Sequence, residues 1–299
     1  MFRAGPAKLF TAMSTLVTGS SGQIGSRCRS MLVGPVTCLD ARPSEGVICC
    51  DLRQPVSPAQ QAELAGVTQV IHLAGSRSDP PFSAAAAWSA TEANAIGTAN
   101  LLAALPPTVE HVVLVSSISV YGPSARGSKL SETGLLQPRS AYGASKANAE
   151  RIARLWGDRT GTPVTIARVA QVYGEGTDPN NGLYRMLATA IAREPIVLSC
   201  RDRMRRDYIH LDDVARILGE LVARPGNRVV NVGSGEGIEL IALARLVAEI
   251  CNAPPPRAEG GDGEDLVLDT SVLTSLGLAP QISLEQGARA EHARLVARS

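Results

Sequence analysis

Short apolar runs alternate with stretches of helical periodicity along the first half of the chain. Thr15-Leu16-Val17 ends in Thr18-Gly19. Residues 36–40 (VTCLD), 67–73 (VTQVIHL), 111–116 (HVVLVS) and 164–169 (VTIARV) are further runs of strand length. Between them, residues 23–32, the Ala-rich 84–105 and 142–156 carry a helical pattern. Strands that are apolar on both faces and separated by helices belong to a parallel sheet covered on both sides. Right-handed crossovers make such a sheet doubly wound. The predicted fold class is therefore α/β with a doubly wound parallel sheet.

The pattern loosens after Gly174, where Gly, Pro, Asn and Arg cluster in EGTDPNNG and SCRDRMRRD and residues 251–264 read as a loop. This predicts a smaller, less regular C-terminal α/β region. The expected division is 13–173 as the sheet domain, with 209–235 returning to it, and 174–208 plus 236–299 as the second domain. Residues 1–12 hold Arg3, Lys8 and too short an apolar run for a signal peptide, so an irregular leader is expected, with Met13 an alternative start.

With 29 Lys+Arg against 28 Asp+Glu the net charge is +1, which argues against nucleic-acid coating or electrostatic membrane binding. The cysteines Cys28, Cys38, Cys49, Cys50, Cys200 and Cys251 form no C-x-x-C pair, and reduced thiols in a cytoplasmic protein are expected. The four histidines have no metal-ligand spacing, so no metal site is expected.

Two local patterns carry chemistry. Gly19, Gly22 and Gly25 give G-x-x-G-x-x-G between a strand and a helix, the context in which backbone N–H groups and a helix N-terminus receive a pyrophosphate. Gln23 and Ile24 lie within it. Asp40 ends the second strand, where a carboxylate accepts the hydroxyls of an adenosine ribose and repels a 2′-phosphate; this favours NAD over NADP. Arg42 is placed to do the opposite by pairing with a 2′-phosphate. The second pattern is Tyr142-Gly143-Ala144-Ser145-Lys146. The chain has only three lysines, and this one falls four residues after a tyrosine, on one helix face, where its ammonium stabilises a phenolate. Ser116 and Ser117 end a strand, where open α/β sheets place ligands.

Together these motifs resemble the extended short-chain dehydrogenase/reductases, specifically the NAD-dependent epimerase/dehydratase family, over residues 14–290. The resemblance implies a Rossmann fold and NAD as cofactor. Asp51-Leu52 is similar to the adenine-contacting pair. Leu73, Ala74 and Gly75 look like the segment beside the nicotinamide, with Arg77 at a cofactor-contacting position, and Asn94 with Gly97-Thr98 resembles the N-x-x-G-T helix. Ser117, Tyr142 and Lys146 match the catalytic positions, and Ser116, Tyr142 and Lys146 also fall at cofactor contacts. In the second half, Pro179-Asn180-Asn181 resembles the P-N-N-L segment, whose Asn contacts a substrate diphosphate. Arg206 stands in a block like R-D-Y-I-H-V-D-D-V-A and would grip that diphosphate. Gln171 departs from the Asn that many sugar-nucleotide epimerases carry, and the late R-x-G-D arginine is missing or shifted around Asp262.

The resemblance implies a nucleotide-sugar substrate, UDP- or dTDP-linked, and a homodimer is expected. A 4,6-dehydratase would carry Thr-Asp-Glu at 117–119, because water elimination needs a separate acid and base; Ile118 supplies neither. The expected activity is a UDP-glucose 4-epimerase-like reaction by transient hydride transfer. The alternatives are a nucleotide-keto-sugar reductase or other sugar dehydrogenase of the family, and, outside enzymes, an NAD-binding regulator.

Overall fold

The computed structural model describes residues 13–77, 81–122, 124–176, 181–198, 203–258, 260–261 and 263–297. The leader, Pro179, Asn180, Cys200 and Asp262 lie outside the described residues. In chain order the first elements are β1 (Thr15–Thr18), α1 (Gln23–Met31), β2 (Val36–Asp40), β3 (Ile48–Cys49), α2 (Pro58–Glu63) and β4 (Gln69–His72). Next come α3 (Ala84–Thr91), a π-helical turn (Glu92–Ile96), α4 (Gly97–Ala104), β5 (His111–Ser117), a 3₁₀ turn (Ile118–Val120), α5 (Ala141–Thr160), β6 (Val164–Val169) and β7 (Gln171–Tyr173). The remainder is α6 (Gly182–Ile191), β8 (Val197–Leu198), β9 (Arg205–His210), α7 (Leu211–Val222), β10 (Arg228–Val232), β11 (Gly237–Glu239), α8 (Leu240–Ile250), β12 (Arg257–Ala258), α9 (Ser271–Ser275) and α10 (Leu284–Val296).

Seven strands form one sheet in the order β10-β6-β5-β4-β1-β2-β3, with every pairing parallel. The doubly wound parallel sheet predicted from the apolar runs is the architecture found. The order reverses at β1, which lies between β4 and β2, so a crevice opens at the carboxyl ends of β1 and β4. Successive strand residues serve opposite faces. Val17, Ile71, Val113 and Val115 pack with Cys28 of α1 and Ile217, Leu218 of α7. Their neighbours Leu16, Val70, Val112 and Leu114 pack with Leu101 and Leu102 of α4 and Ala149, Ala153 of α5.

The long helix predicted over 84–105 runs without a gap from Ala84 to Ala104, with one π turn at Glu92–Ile96 inside it. The 20-residue α5 starts at Ser140, whose hydroxyl accepts from the Gly143 N–H, and stops at Gly161 with φ +75°.

The region after Gly174 is more regular than its composition predicts. Helices α6, α8 and α10 pack around a third core that includes Leu183, Leu187, Leu243 and Val247. The Arg-rich segment is partly strand, since Arg205–His210 form β9, and turn-forming composition hides the apolar faces of the helices on either side. Strand β10 joins the large sheet beside β6, whereas β11-β9-β7 and β12-β8 form separate small sheets. No described helix is long and apolar enough to cross a membrane.

Candidate active site

At the end of β1 the chain turns at Gly19, with φ +66°, where a Cβ would come within 2.8 Å of the Ala74 backbone nitrogen. A Cβ at Gly25 would strike the Gly19 carbonyl oxygen. Glycine at both places lets α1 begin against the turn. Gly22 precedes α1 without a side-chain cap, which leaves the first N–H groups of the helix available to an anion. The Ser21 hydroxyl is buried with no hydrogen-bond partner among the described residues. A cradle that a Cβ would fill, an uncapped helix start and an orphaned hydroxyl fit a dinucleotide pyrophosphate.

Asp40 stands beside this cradle at the end of β2. Its Oδ2 accepts from the Ser21 N–H at 3.0 Å, and its Oδ1 accepts from the Arg42 N–H at 2.9 Å and Nε at 3.3 Å. Burial pushes the Asp40 carboxyl up, but these donors together outweigh it and hold it below the usual carboxylate range. Arg42, the residue suited to a 2′-phosphate, is therefore paired with Asp40.

The segment after β4 is held by a chain of hydrogen bonds whose direction the donors fix. The Thr98 hydroxyl donates to the Asn94 carbonyl at 2.6 Å, so it can only accept from His72 Nε2 at 3.0 Å. His72 Nδ1 is then the acceptor for the Thr18 hydroxyl at 2.6 Å. Thr18 Oγ1 in turn accepts the N–H groups of Leu73 and Ala74. Burial, with the Lys146 charge adding to it, pushes His72 down to about 3, so it is the neutral imidazole this chain requires. Asn94 completes the clamp: its Oδ1 accepts from the Ser76 N–H, and its Nδ2 donates to the Ser76 carbonyl and the Ser145 hydroxyl.

A cavity of about 630 Å³ runs from the glycine turn past this segment to the carboxyl end of β5. Gly19, Gly22, Gln23, Ile24 and Gly25 line one part; Leu73, Gly75 and Arg77 line another; Ser116, Ser117, Tyr142 and Lys146 line a third, with Gln171 and Asn181 also in the lining. The 3₁₀ turn after β5 shapes Ser117: its Oγ accepts from the Ser119 N–H at 3.1 Å, leaving the hydroxyl hydrogen to donate elsewhere. Lys146 is 7% exposed, and its Nζ donates to the Val115 carbonyl at 3.0 Å. Burial pulls its ammonium down to about 8, with the Glu150 charge opposing the drop.

Apart from Asn181, which lies in it, the other expected site residues fall outside this lining. Asp51 takes three N–H groups of Arg53 on its carboxylate. Leu52 is 6% exposed in the core beneath α4, and Ala74 and Asn94 hold the wall rather than form it. Arg206 donates to the carbonyls of Arg205 and Glu264. Asn181 caps α6, accepting from the Leu183 N–H and donating to the Val172 carbonyl. Among the described residues no cluster of His, Cys, Asp or Glu could hold a metal ion.

Residues missed in the sequence also shape the site. Ser76 and Ser119 line the cavity. Glu150 and Arg168 form a buried ion pair behind it. A glutamate at the next four-residue step after Tyr142 and Lys146 is the signal that could have found it.

The chain is 29% identical to a dTDP-L-rhamnose 4-epimerase of Burkholderia thailandensis over 94% of each sequence. It is 30% identical to a dTDP-glucose 4,6-dehydratase of Streptomyces griseus over 91% of this chain and 90% of that one. Among solved structures it is similar, at 27% identity and a TM-score of 0.82, to the Thermus thermophilus UDP-glucose 4-epimerase in complex with NAD, covering 94% of this chain and 99% of that one. Residues 15–233 match the family described as NAD dependent epimerase/dehydratase, and the chain belongs to that family.

Proposed function

We propose that the protein is an NAD-dependent nucleotide-sugar 4-epimerase. The observation that carries this reading is the continuous cavity in which the glycine cradle lies at one end and Ser117, Tyr142 and Lys146 meet at the other. Tyr142 takes the proton of the sugar hydroxyl and returns it, acting as general base and then general acid. Lys146, as an ammonium, stabilises the phenolate that this requires. Ser117 donates its hydroxyl hydrogen to the reacting sugar oxygen. When bound, NAD supplies reversible hydride acceptance at the sugar carbon; Asp40 holds its adenosine ribose, and Gly19, Gly22 and Gly25 admit its pyrophosphate. Arg206 and Asn181 belong to the substrate diphosphate end.

A water-eliminating reaction is not favoured, because Ile118, 4% exposed beside Ser117, offers no acid or base. Incubation with UDP-, GDP- and dTDP-sugars, with and without NADH, tests the reading. A 4-epimer formed with no net NADH use is the expected result; stoichiometric NADH consumption would make the protein a keto-sugar reductase instead.

The sheet unit is taken as 13–173 with 209–235, and the substrate unit as 174–208 with 236–299. Exposed Trp88, Ile96 and Leu155 on the packed α3, π turn and α5 support a homodimer through that face; Leu155→Glu should give a monomer by light scattering. The free thiols of Cys28, Cys38, Cys49, Cys50 and Cys251 suit a reducing, cytoplasmic setting.

A further inference from the structure

Helix α5 carries polar side chains at three successive four-residue steps: Tyr142, Lys146 and Glu150. The first two line the cavity and the third does not. Glu150 is 1% exposed. Its Oε1 accepts from the Ser116 hydroxyl at 2.6 Å and from Arg168 Nε at 2.9 Å, and its Oε2 accepts from Arg168 Nη2 at 2.8 Å. Ser116 and Arg168 are register partners on β5 and β6, so both present their side chains to the same face. One residue before Ser116, the Val115 carbonyl accepts from Lys146. Two consecutive turns of α5 are thus fastened to two consecutive residues of β5, and the next residue is Ser117.

The far side of the guanidinium is held as firmly. Arg168 Nη1 donates to the Tyr121 hydroxyl at 2.8 Å, and Tyr121 donates to Asn231 Oδ1 at 2.8 Å. Asn231 is the register partner of Arg168 on β10, and the guanidinium carbon lies 4.8 Å from the Tyr121 ring centroid. Ser116, Arg168 and Asn231 therefore form one row across three strands, with Glu150 laid over it.

We propose that Glu150 is a positioning residue of the proton-transfer site, holding α5 at a fixed height against the end of β5 and presenting a counter-charge to the Lys146 ammonium. This rests on the acid/base reading of Tyr142 and Lys146 given above. Stability alone does not account for the arrangement, because a buried ion pair is commonly replaceable by apolar side chains at little cost. An apolar pair cannot supply a negative charge one turn from Lys146. The charged and titratable groups facing Lys146 are Tyr142 and Glu150 on its own helix and His72 on β4, with Arg168 of β6 behind Glu150. His72 is neutral, so Glu150 is the group among these that favours the ammonium.

The experiment is an NMR titration of protein labelled with ¹³Cε-lysine. The chain holds three lysines, and the Lys146 signal is the one lost in Lys146→Met. Glu150→Gln keeps the shape and removes the charge. The expected result is a fall in the Lys146 midpoint of at least roughly half a pH unit. Turnover should drop about tenfold with KM nearly unchanged, and the basic limb of the pH–rate profile should move acid-ward with the midpoint. Glu150→Asp, which restores the charge, should recover most of the midpoint. If Glu150→Gln does not fold, the Glu150→Met/Arg168→Met pair replaces it, with the same midpoint expected to fall. An unmoved midpoint in whichever variant folds overturns the proposal. The titration needs no substrate, so it stands apart from the epimerase reading, which fails separately if no nucleotide sugar is turned over.

Discussion

Replacing Lys146 by Met should make the nucleotide-free protein more stable while destroying its activity. Burial lowers the Lys146 ammonium from 10.5 to about 8. At 1.36 kcal/mol per pH unit this corresponds to about 3 kcal/mol, the cost of keeping the charge in the folded protein at neutral pH. The folded value is depressed, so the unfolded chain holds the proton more tightly. The cost is therefore fully present below about pH 8, shrinks as pH rises and is gone above 10.5. Met keeps the unbranched stem and removes the charge. It also loses the hydrogen bond to the Val115 carbonyl, worth about 1 kcal/mol net. The expected gain is about 2 kcal/mol at pH 7, vanishing or reversing near pH 10. Urea unfolding of both proteins at the two pH values measures it, with turnover recorded alongside. A Met variant less stable than the parent at pH 7, or a gain equal at both pH values, refutes the reasoning.

Three further outcomes are expected. Tyr142→Phe should keep the unfolding midpoint and bound nucleotide while turnover falls by roughly 10²–10⁴, measured on the substrate that the sugar-nucleotide screen identifies. Calorimetry should show NAD(H) binding more tightly than NADP(H), because Asp40 stays ionised and engages Arg42; equal affinities would mean that Arg42 leaves Asp40 for a 2′-phosphate. Between pH 5 and 8 the His72 ring signals should not titrate in an NMR series, since its value lies near 3; a midpoint inside that window would break the hydrogen-bond chain from Thr18 to Asn94.

What the sequence revealed was local. The glycine loop and Asp40 are read from spacing within about 20 residues, and the Tyr142–Lys146 step is set by one helical turn. The alternating apolar runs disclosed the parallel sheet for the same reason. What stayed hidden depends on strand register and on side chains turning toward partners far away in sequence. Arg168 in a run of apolar strand residues gives no hint that Ser116 and Asn231 flank it. Asn94 matches a cofactor-contact motif, but the π turn that carries it aims both ends of its amide at Ser76 and Ser145. Arg206 matches a diphosphate-binding position, and nothing in its neighbours' spacing announces the Glu264 carbonyl 58 residues on. The C-terminal helices were obscured by the turn-rich segments between them.

The row from Ser116 to Asn231 also imposes an order on biosynthesis. β6 ends at Val169, but its outer neighbour β10 ends at Val232, 63 residues later. At roughly 5–20 residues per second a ribosome takes about 3–13 s to supply that strand. Throughout that interval β6, made of Val, Thr, Ile and Ala with the single charge of Arg168, is an edge strand free to pair with another nascent chain. Asn231, the acceptor that Tyr121 needs beneath Arg168, is likewise not yet made. A chain arrested before β10 has Ser117 and the Tyr142–Lys146 pair, yet lacks the last member of the row behind them.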